Sequence, residues 1–218
     1  MTALIFFFIL SHPQWREAIC HELMETFDDL HPLSVQSVDK LDDLPILNAV
    51  LLEGLRLGSV FSGVHRVVPP GGAYIEGYYF PEGVTMSVPI YAQHLQESNF
   101  GWDPAVFNPQ RFLSDDFRAD RTALLAFSSG MPGSDRDHTQ SSPFIGPFSC
   151  VGYRLAQKQL KIIVACTFLQ LSVETLPDFD PGKFWAGVGN LRATVIRESL
   201  TVAARRLNDT CGVIFPDA

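Results

Sequence analysis

A cysteine between two glycines is the first residue whose position could support chemistry. In the stretch PFIGPFSCVGYRLA, Cys150 lies between Gly146 and Gly152 and directly precedes a long apolar helical pattern. The free amides and the dipole at a helix start favour an anion, so a thiolate would be stabilised there. Flanking glycines would also let a ligand approach the sulfur closely. The pattern suits a thiolate that holds a soft metal or a haem iron, while a small buried structural cysteine is the alternative.

A carboxylate and an arginine form the second candidate group. In LLEGLRL, Glu53 falls on the same helical face as Val50 and Leu57, so its charge lies on the apolar side of its helix. Such a carboxylate is costly unless it is paired and hydrogen-bonded. Arg56, three residues further on, is its natural partner. An ordinary exposed helix pair is the alternative, because a short motif of this kind is common by chance.

The third candidate is an arginine in a loop that also contains proline and phenylalanine. Arg111 occurs in FNPQRF, residues 107–112. Its planar guanidinium has five donors and could clamp backbone carbonyls or the Glu53 carboxylate. A solvated loop arginine is the alternative interpretation.

The elements that must position these residues can be predicted from residue periodicity. Helices that open with proline are predicted over residues 13–27 and 45–58, and short β-branched and aromatic runs predict a small sheet of hairpins over 64–91. Residues 153–173 predict a helix of roughly six turns, and residues 193–206 predict a strand. The apolar stripe of the long helix consists of Leu160, Ile163, Val164, Phe168 and Leu171.

Two segments have less regular patterns. Residues 95–142 are rich in Gly, Pro, Ser and Asp and predict a long, covered loop, in which Trp102, Phe107, Phe112 and Phe117 require burial. The apolar start, MTALIFFFIL, is too short to cross a bilayer. It has neither the basic residues that begin a signal peptide nor the small residues that end one. We interpret it as the end of a buried helix closed by residues 11–13, which suggests that a front half is missing.

Composition excludes several classes of protein. The formal charge of the 218 residues is −8 and no run of Lys or Arg occurs, which argues against a nucleic-acid partner. The four cysteines are far apart and contain no CxxC pair, which indicates free thiols in a reducing compartment. Cys20 and Cys166 lie among apolar neighbours at helical spacing and are interpreted as structural. No internal repeat or domain boundary is evident.

Taken in order, the three groups resemble one family. ExxR (Glu53, Arg56), a PxR loop (Pro109, Arg111) and GxxxCxG ahead of a long helix are similar to the C-terminal motifs of the cytochrome P-450 monooxygenases. The hairpins in RVVPPGG and IEGYYFPEGV, and the segment AQHLQESNFGWDPAVFNPQRFL, resemble those of the filamentous-fungal members. That resemblance implies a role in fungal secondary metabolism. The resemblance extends from about Leu4 to Arg206.

The resemblance implies a mainly α fold with small β-sheets, of which residues 1–218 are the C-terminal portion of a single haem-thiolate domain. It implies haem b with Cys150 as axial ligand. Glu53, Arg56 and Arg111 would form a buried charge triad that fixes the cysteine loop, and Arg66 would meet a haem propionate. No catalytic residue is assigned. The implied cofactor contacts are Arg66, Phe144, Gly146, Phe148, Gly152 and Ala156, and the implied substrate-pocket residues, within 60–64, are Phe61, Ser62 and Gly63.

The same resemblance implies an activity and partners. The expected reaction inserts one atom of molecular oxygen into a small lipophilic substrate, with electrons from NADPH-cytochrome P-450 reductase. We expect a monomer without a nucleic-acid partner. Full-length relatives would lie at the endoplasmic reticulum membrane facing the cytosol, and this chain would carry no anchor.

The sequence also departs from the family pattern. Where the family has Phe seven residues before the cysteine and a basic residue two before it, this chain has Pro143 and Phe148, so one propionate contact is missing. Residues 127–142 resemble an insertion. The family domain is about twice as long, and its acid–threonine pair for proton delivery would precede this chain. We therefore expect the chain alone to be inactive, with LIFFFIL uncovered and prone to aggregate.

Two alternatives to an enzyme of this family stay open. The chain could be a non-catalytic, truncated product that keeps the motifs without enclosing haem. It could also be a thiol enzyme or redox sensor that uses Cys150 as a nucleophile, with His138 as the nearest base in sequence.

Overall fold

The computed structural model describes residues 1–27, 38–114, 119–128, 150–190 and 194–207. Its α-helices are α1 (Thr2–Ser11), α2 (Pro13–Thr26), α3 (Pro45–Leu57), α4 (Ile90–His94), α5 (Glu97–Phe100), α6 (Tyr153–Gln170) and α7 (Pro181–Ala186). Its strands are β1 (Gly63–Val67), β2 (Ala73–Ile75), β3 (Tyr78–Phe80), β4 (Thr85–Pro89), β5 (Leu171–Thr175), β6 (Val188–Asn190), β7 (Thr194–Ile196) and β8 (Val202–Arg206). The mainly α fold with small antiparallel sheets confirms the predicted class.

The apolar first helix is a core element. In α1, six residues from Leu4 to Leu10 are buried. Phe7 stacks on Trp185 with ring centroids 5.9 Å apart, and Phe8 stacks on Phe107 at 4.8 Å. The expectation that this segment lies uncovered is therefore wrong, because residues far along the chain return to cover it. Within the described part of the chain, no helix is long and apolar enough to cross a membrane.

Helix α3 carries two of the candidate residues and is capped at its start by a side chain from α2. Pro45 occupies its first turn, and the Glu22 carboxylate from α2 accepts the N–H groups of Ile46 and Leu47 at 2.7 and 2.8 Å. Those amides have no partner within the helix, so Glu22 caps it from another element. The helix ends before Gly58, as predicted.

The hairpins predicted over 64–91 form two nested strand pairs. β1 pairs with β4 in antiparallel register, with Arg66 opposite Met86, and β2 pairs with β3 inside that connection. The chain after Pro89 turns into α4, so the last two predicted strand residues are helical.

The long helix is shorter than predicted. α6 has 18 residues and ends at Gln170, because the next five residues pair with β8 as strand β5. Leu171 of the predicted stripe therefore belongs to a strand, and Ile163 is exposed, while Leu160, Val164 and Phe168 are buried as predicted.

The strand predicted over 193–206 is two strands. β7 pairs with β6, and β8 pairs with β5, so residues 197–201 connect two separate small sheets. Within the loop predicted over 95–142, Phe107 and Phe112 are buried as predicted. Trp102 is 87% exposed, so the prediction of its burial is wrong, and Phe117 lies outside the described residues.

Candidate functional site

The first two candidate residues form a bidentate ion pair inside the core. Arg56 Nε donates to Glu53 Oε2 at 2.7 Å, and Arg56 Nη2 donates to Glu53 Oε1 at the same distance. Both side chains are completely buried. Paired charges of this geometry satisfy each other where a single charge would be very costly.

Arg111 joins this pair from a distant loop. Its Nε donates to Glu53 Oε1 at 3.0 Å, and the backbone N–H of Asn108 donates to the same oxygen at 2.9 Å. Arg111 lies in a short 3-10 helix, Pro109–Phe112, whose first turn is capped by the Asn108 side chain. One carboxylate thus connects α3 to the loop that carries Arg111.

The remaining guanidinium donors bind backbone carbonyls. Arg56 Nη1 donates to the carbonyls of His94 and Pro104, each at 2.6 Å. Arg111 donates through Nη1 to the carbonyl of Phe100 and through Nη2 to that of Val106. These bonds fix the course of residues 94–106, and because all three charged side chains are buried, the cluster can order the chain but cannot reach a substrate.

A buried histidine adjoins the cluster, and sequence reasoning missed it. His94, the last residue of α4, is fully buried, and burial lowers its pKa to about 4. Its Nδ1 lies 2.7 Å from the Arg56 carbonyl oxygen, and its Nε2 accepts the N–H of Leu125 at 2.8 Å. A histidine at the end of a five-residue helix carries no pattern from which this role could have been predicted.

Cys150 is an exposed thiol just ahead of α6. Its carbonyl accepts the N–H of Tyr153, the first residue of the helix, and its own N–H donates to the Phe127 carbonyl at 2.9 Å. Gly152 is the N-cap residue, and a Cβ there would lie 3.9 Å from the Cys150 sulfur. Cys150 is thus an exposed residue at the positive end of the α6 dipole.

Arg66 reaches the segment that adjoins the cysteine. Its Nη2 donates to the Ser128 hydroxyl at 3.3 Å, and the preceding Phe127 carbonyl binds the Cys150 amide. Ser128 and Phe127 thus link the Arg66 guanidinium to the backbone amide of Cys150. The Arg66 side chain is exposed to solvent.

Some of the other residues predicted to contact the cofactor or the substrate lie in the described part of the chain. Ala156 and Gly152 are half-buried in and before the first turn of α6. Phe61 is exposed and Ser62 half-buried. A Cβ on Gly63 would lie 2.5 Å from Ser87 Oγ, so close strand pairing accounts for the glycine at that position. Phe144, Gly146, Phe148 and the rest of residues 129–149 lie outside the described residues.

Two other cysteines are poor candidates for a ligand. Cys20 and Cys166 are half-buried free thiols on α2 and α6, and burial raises the pKa of Cys20. A raised pKa opposes formation of the thiolate that a metal would need. Cys211 lies outside the described residues.

A cavity elsewhere in the molecule is not the thiol site. It measures about 470 Å³ and lies between α3 and α6, where Leu51, Leu55 and Leu160 contribute to its lining. Neither Cys150 nor Arg66 lines it.

Comparison with known proteins decides the family. A family model described as cytochrome P450 matches residues 2–192. The chain belongs to the cytochrome P450 family. The P450 family is one of haem proteins whose iron is held by a cysteine thiolate.

Curated relatives of this P450 chain come from fungi. It is 31% identical over 205 residues to cytochrome P450 67 of Uromyces fabae, which is 90% of this chain and 34% of the relative. It is 29% identical over 183 residues to the cytochrome P450 monooxygenase phqL of Penicillium fellutanum, which is 83% of this chain and 28% of the relative. The cytochrome P450 monooxygenase eupD of Phoma sp is 29% identical over 201 residues, which is 91% of this chain and 60% of the relative. The chain thus spans about a third of the length of the first two relatives.

The described residues around Cys150 fit a large, flat apolar group that has an anionic edge. Val151 and Leu155, which follow Cys150 in the chain, are exposed apolar residues, and Arg66 bonds to the Ser128 hydroxyl next to the Phe127 carbonyl that binds the Cys150 amide. Among the described residues no cluster of three or more His, Cys, Asp or Glu is placed to hold a metal ion. A single cysteine thiolate is the protein ligand of haem iron in this family, so haem would not require such a cluster.

Proposed function

We propose that this chain provides the thiolate side of a haem-dependent P450 monooxygenase, with Cys150 as the axial ligand of haem b. The supporting observation is the exposed thiol at the start of α6, beside a segment that also binds Arg66. An accessible sulfur at a helix N-terminus is suited to be a thiolate ligand. When bound, haem supplies the activation of molecular oxygen, which amino-acid side chains do not provide.

The residues of the chain would have four roles in this function. Cys150 would hold the iron, and Arg66 would bind a propionate, since a guanidinium pairs well with a carboxylate. Gly146, Gly152 and Ala156 would leave room for the macrocycle, and Phe144 and Phe148 would keep water away from it; residues 144–148 lie outside the described part of the chain. Glu53, Arg56 and Arg111 would order the loop that precedes the thiol segment and take no part in the chemistry.

The activity of the whole protein is part of the same proposal. P450 enzymes generally take electrons from a redox partner and oxidise lipophilic compounds, and relatives of this chain are named monooxygenases. We propose NADPH-cytochrome P450 reductase as donor, a small lipophilic substrate of fungal secondary metabolism, and residues near Phe61 as pocket residues. We further propose a monomer at the endoplasmic reticulum membrane, as the fungal resemblance implies.

The spectrum of the carbon-monoxide complex tests the ligand. In the haem-loaded protein, Cys150→Ala should abolish the red-shifted Soret band of thiolate-ligated haem, because no sulfur would remain on the iron. Cys166→Ala, a matched change on the neighbouring helix, should leave the band intact. Equal spectra for the wild type and Cys150→Ala would refute the assignment.

The two alternatives give different results in the same experiment. A non-catalytic chain would take up no haem, although Glu53, Arg56 and Arg111 remained paired. A thiol enzyme would show no thiolate band, yet would lose its reactivity towards peroxide or an alkylating reagent when Cys150 is replaced.

A further inference from the structure

His94 contacts three backbone or hydroxyl groups through its two ring nitrogens. Nδ1 lies 2.7 Å from the Arg56 carbonyl oxygen and 3.0 Å from Ser59 Oγ. Nε2 lies 2.8 Å from the Leu125 amide nitrogen. The ring is fully buried, and it packs edge-on against Phe100 with the ring centroids 5.8 Å apart.

These partners determine where the ring carries its proton. The Leu125 amide can only donate, so Nε2 must be the unprotonated acceptor. The Arg56 carbonyl can only accept, so Nδ1 must carry the hydrogen. The two nitrogens therefore have different roles that cannot be exchanged, since Nδ1 holds the end of α3 and Nε2 holds the segment that contains Leu125.

That segment leads directly to the thiol. The Ser128 N–H donates to the Leu125 carbonyl at 2.9 Å, which closes a turn over residues 125–128. Within the turn, the Phe127 carbonyl accepts the N–H of Cys150 at 2.9 Å. A continuous series of hydrogen bonds therefore runs from the Arg56 carbonyl through the His94 ring and the 125–128 turn to the backbone of Cys150.

We propose that His94 is a positioning residue for the Cys150 thiolate, acting through the bond between its Nε2 and the Leu125 amide. The ring holds the 125–128 turn at a fixed distance from α3, and the turn holds the cysteine backbone and the Ser128 hydroxyl that binds Arg66. The proposal rests on the proposed function, because the ligand role of Cys150 belongs to it. It adds that the end of α3 and the turn that binds the Cys150 backbone are connected through the neutral imidazole of His94.

Two substitutions of His94 test the roles of its two ring nitrogens separately. In His94→Gln the side-chain amide oxygen can take the place of Nε2 and still accept the Leu125 amide. In His94→Asn the shorter amide can take the place of Nδ1 and still donate to the Arg56 carbonyl, but nothing reaches Leu125. His65→Asn, at an exposed position on β1, is the control.

Hydrogen exchange of backbone amides measures the coupling without haem. In His94→Asn the amides of Leu125 and Cys150 should both exchange about tenfold faster, the factor expected for one lost buried hydrogen bond. In His94→Gln and in the control, both amides should keep the protection of the wild type. Equal exchange of the Cys150 amide in the Asn and Gln variants would overturn the positioning role.

The wild-type protein provides a second measurement in case both variants fail to fold. If the turn and the cysteine move as a unit, the Leu125 and Cys150 amides should open with the same protection factor. A Cys150 amide that exchanges more than about tenfold faster than the Leu125 amide would overturn the proposal.

The spectrum of the haem-loaded protein then reports on the thiolate itself. His94→Asn should lose much of the thiolate-type Soret band of the carbon-monoxide complex, while His94→Gln should retain it. Equal bands in the two variants would again contradict a positioning role. A wild-type protein without this band would overturn the proposed function, while the exchange result on Leu125 and Cys150 would still report whether His94 positions the cysteine backbone.

Discussion

At the scale of single residues, the charge cluster depends on complete pairing rather than on any one bond. The Glu53 carboxylate accepts hydrogen bonds from three side-chain N–H groups and one backbone N–H. Other N–H groups of the two arginines donate to backbone carbonyls. A buried charge that loses its partner is destabilising because its desolvation is no longer compensated. We therefore expect each arginine to contribute to the stability of the fold.

Arg56→Ala should destabilise the chain by about 3–5 kcal/mol, the usual cost of removing one partner from a buried ion pair, because Glu53 would keep only its bonds from Arg111 and Asn108. We expect this as a lower midpoint of chemical unfolding or as insoluble protein. Lys158→Ala is the matched control, because it removes an ion pair of similar length, 2.8 Å to Asp39, on the exposed surface. A soluble Arg56→Ala variant with the midpoint of the wild type would show that the cluster is dispensable.

The buried imidazole of His94 makes stability depend on pH. Burial and the nearby Arg56 guanidinium lower its pKa from 6.5 to about 4, so the unfolded chain binds this proton more readily than the folded one. The free energy of unfolding should fall by roughly 3 kcal/mol from this group as the pH drops from about 6.5 to about 4, and be fully restored above 6.5.

Acidic residues also titrate in that window, so the contribution of His94 needs a difference measurement. The free energy of unfolding of the wild type and of His94→Gln should be compared across the range. The wild type should lose more stability than the variant, which has no imidazole at this position. Parallel pH profiles for the two proteins would contradict the prediction.

At the scale of elements, α3 is held by a cap that comes from α2. Replacement of Glu22 by alanine should cost about 1–2 kcal/mol, because the half-buried N–H of Ile46 and the buried N–H of Leu47 would lose their acceptor. Glu25→Ala, on the exposed face of the same helix, should leave the unfolding midpoint unchanged. Equal midpoints for the two variants would show that the cap is not needed.

At the scale of the whole molecule, the thiol lies on an open surface. Cys150, Val151 and Leu155 are exposed in the described structure, so haem bound there by residues 1–218 alone would face water. Water at that face would remove the dry pocket that protects reactive intermediates. We expect residues 1–218 by themselves to hold little haem and to give no turnover.

Two measurements test this expectation. They are the amount of haem bound per protein and the oxygen use that is coupled to NADPH oxidation. The same residues within a protein of the full family length are the comparison. Stoichiometric haem with coupled oxygen use by residues 1–218 would contradict it. Because α1 is buried, exposure of LIFFFIL is no longer a reason to expect aggregation.

The sequence by itself determined the features that depend on local order. Spacing along a helix placed Glu53 beside Arg56, proline and glycine marked the ends of α3, and the order of ExxR, PxR and GxxxCxG indicated the family that comparison then showed. Only the tertiary structure decided contacts between distant residues. The burial of α1 and the exposure of Trp102 depend on which distant residues pack against them. The end of α6 depends on the pairing of β5 with β8, and the role of His94 depends on its position between α3 and Leu125. These outcomes depend on which surfaces meet in space, and neither residue periodicity nor short motifs carry that information.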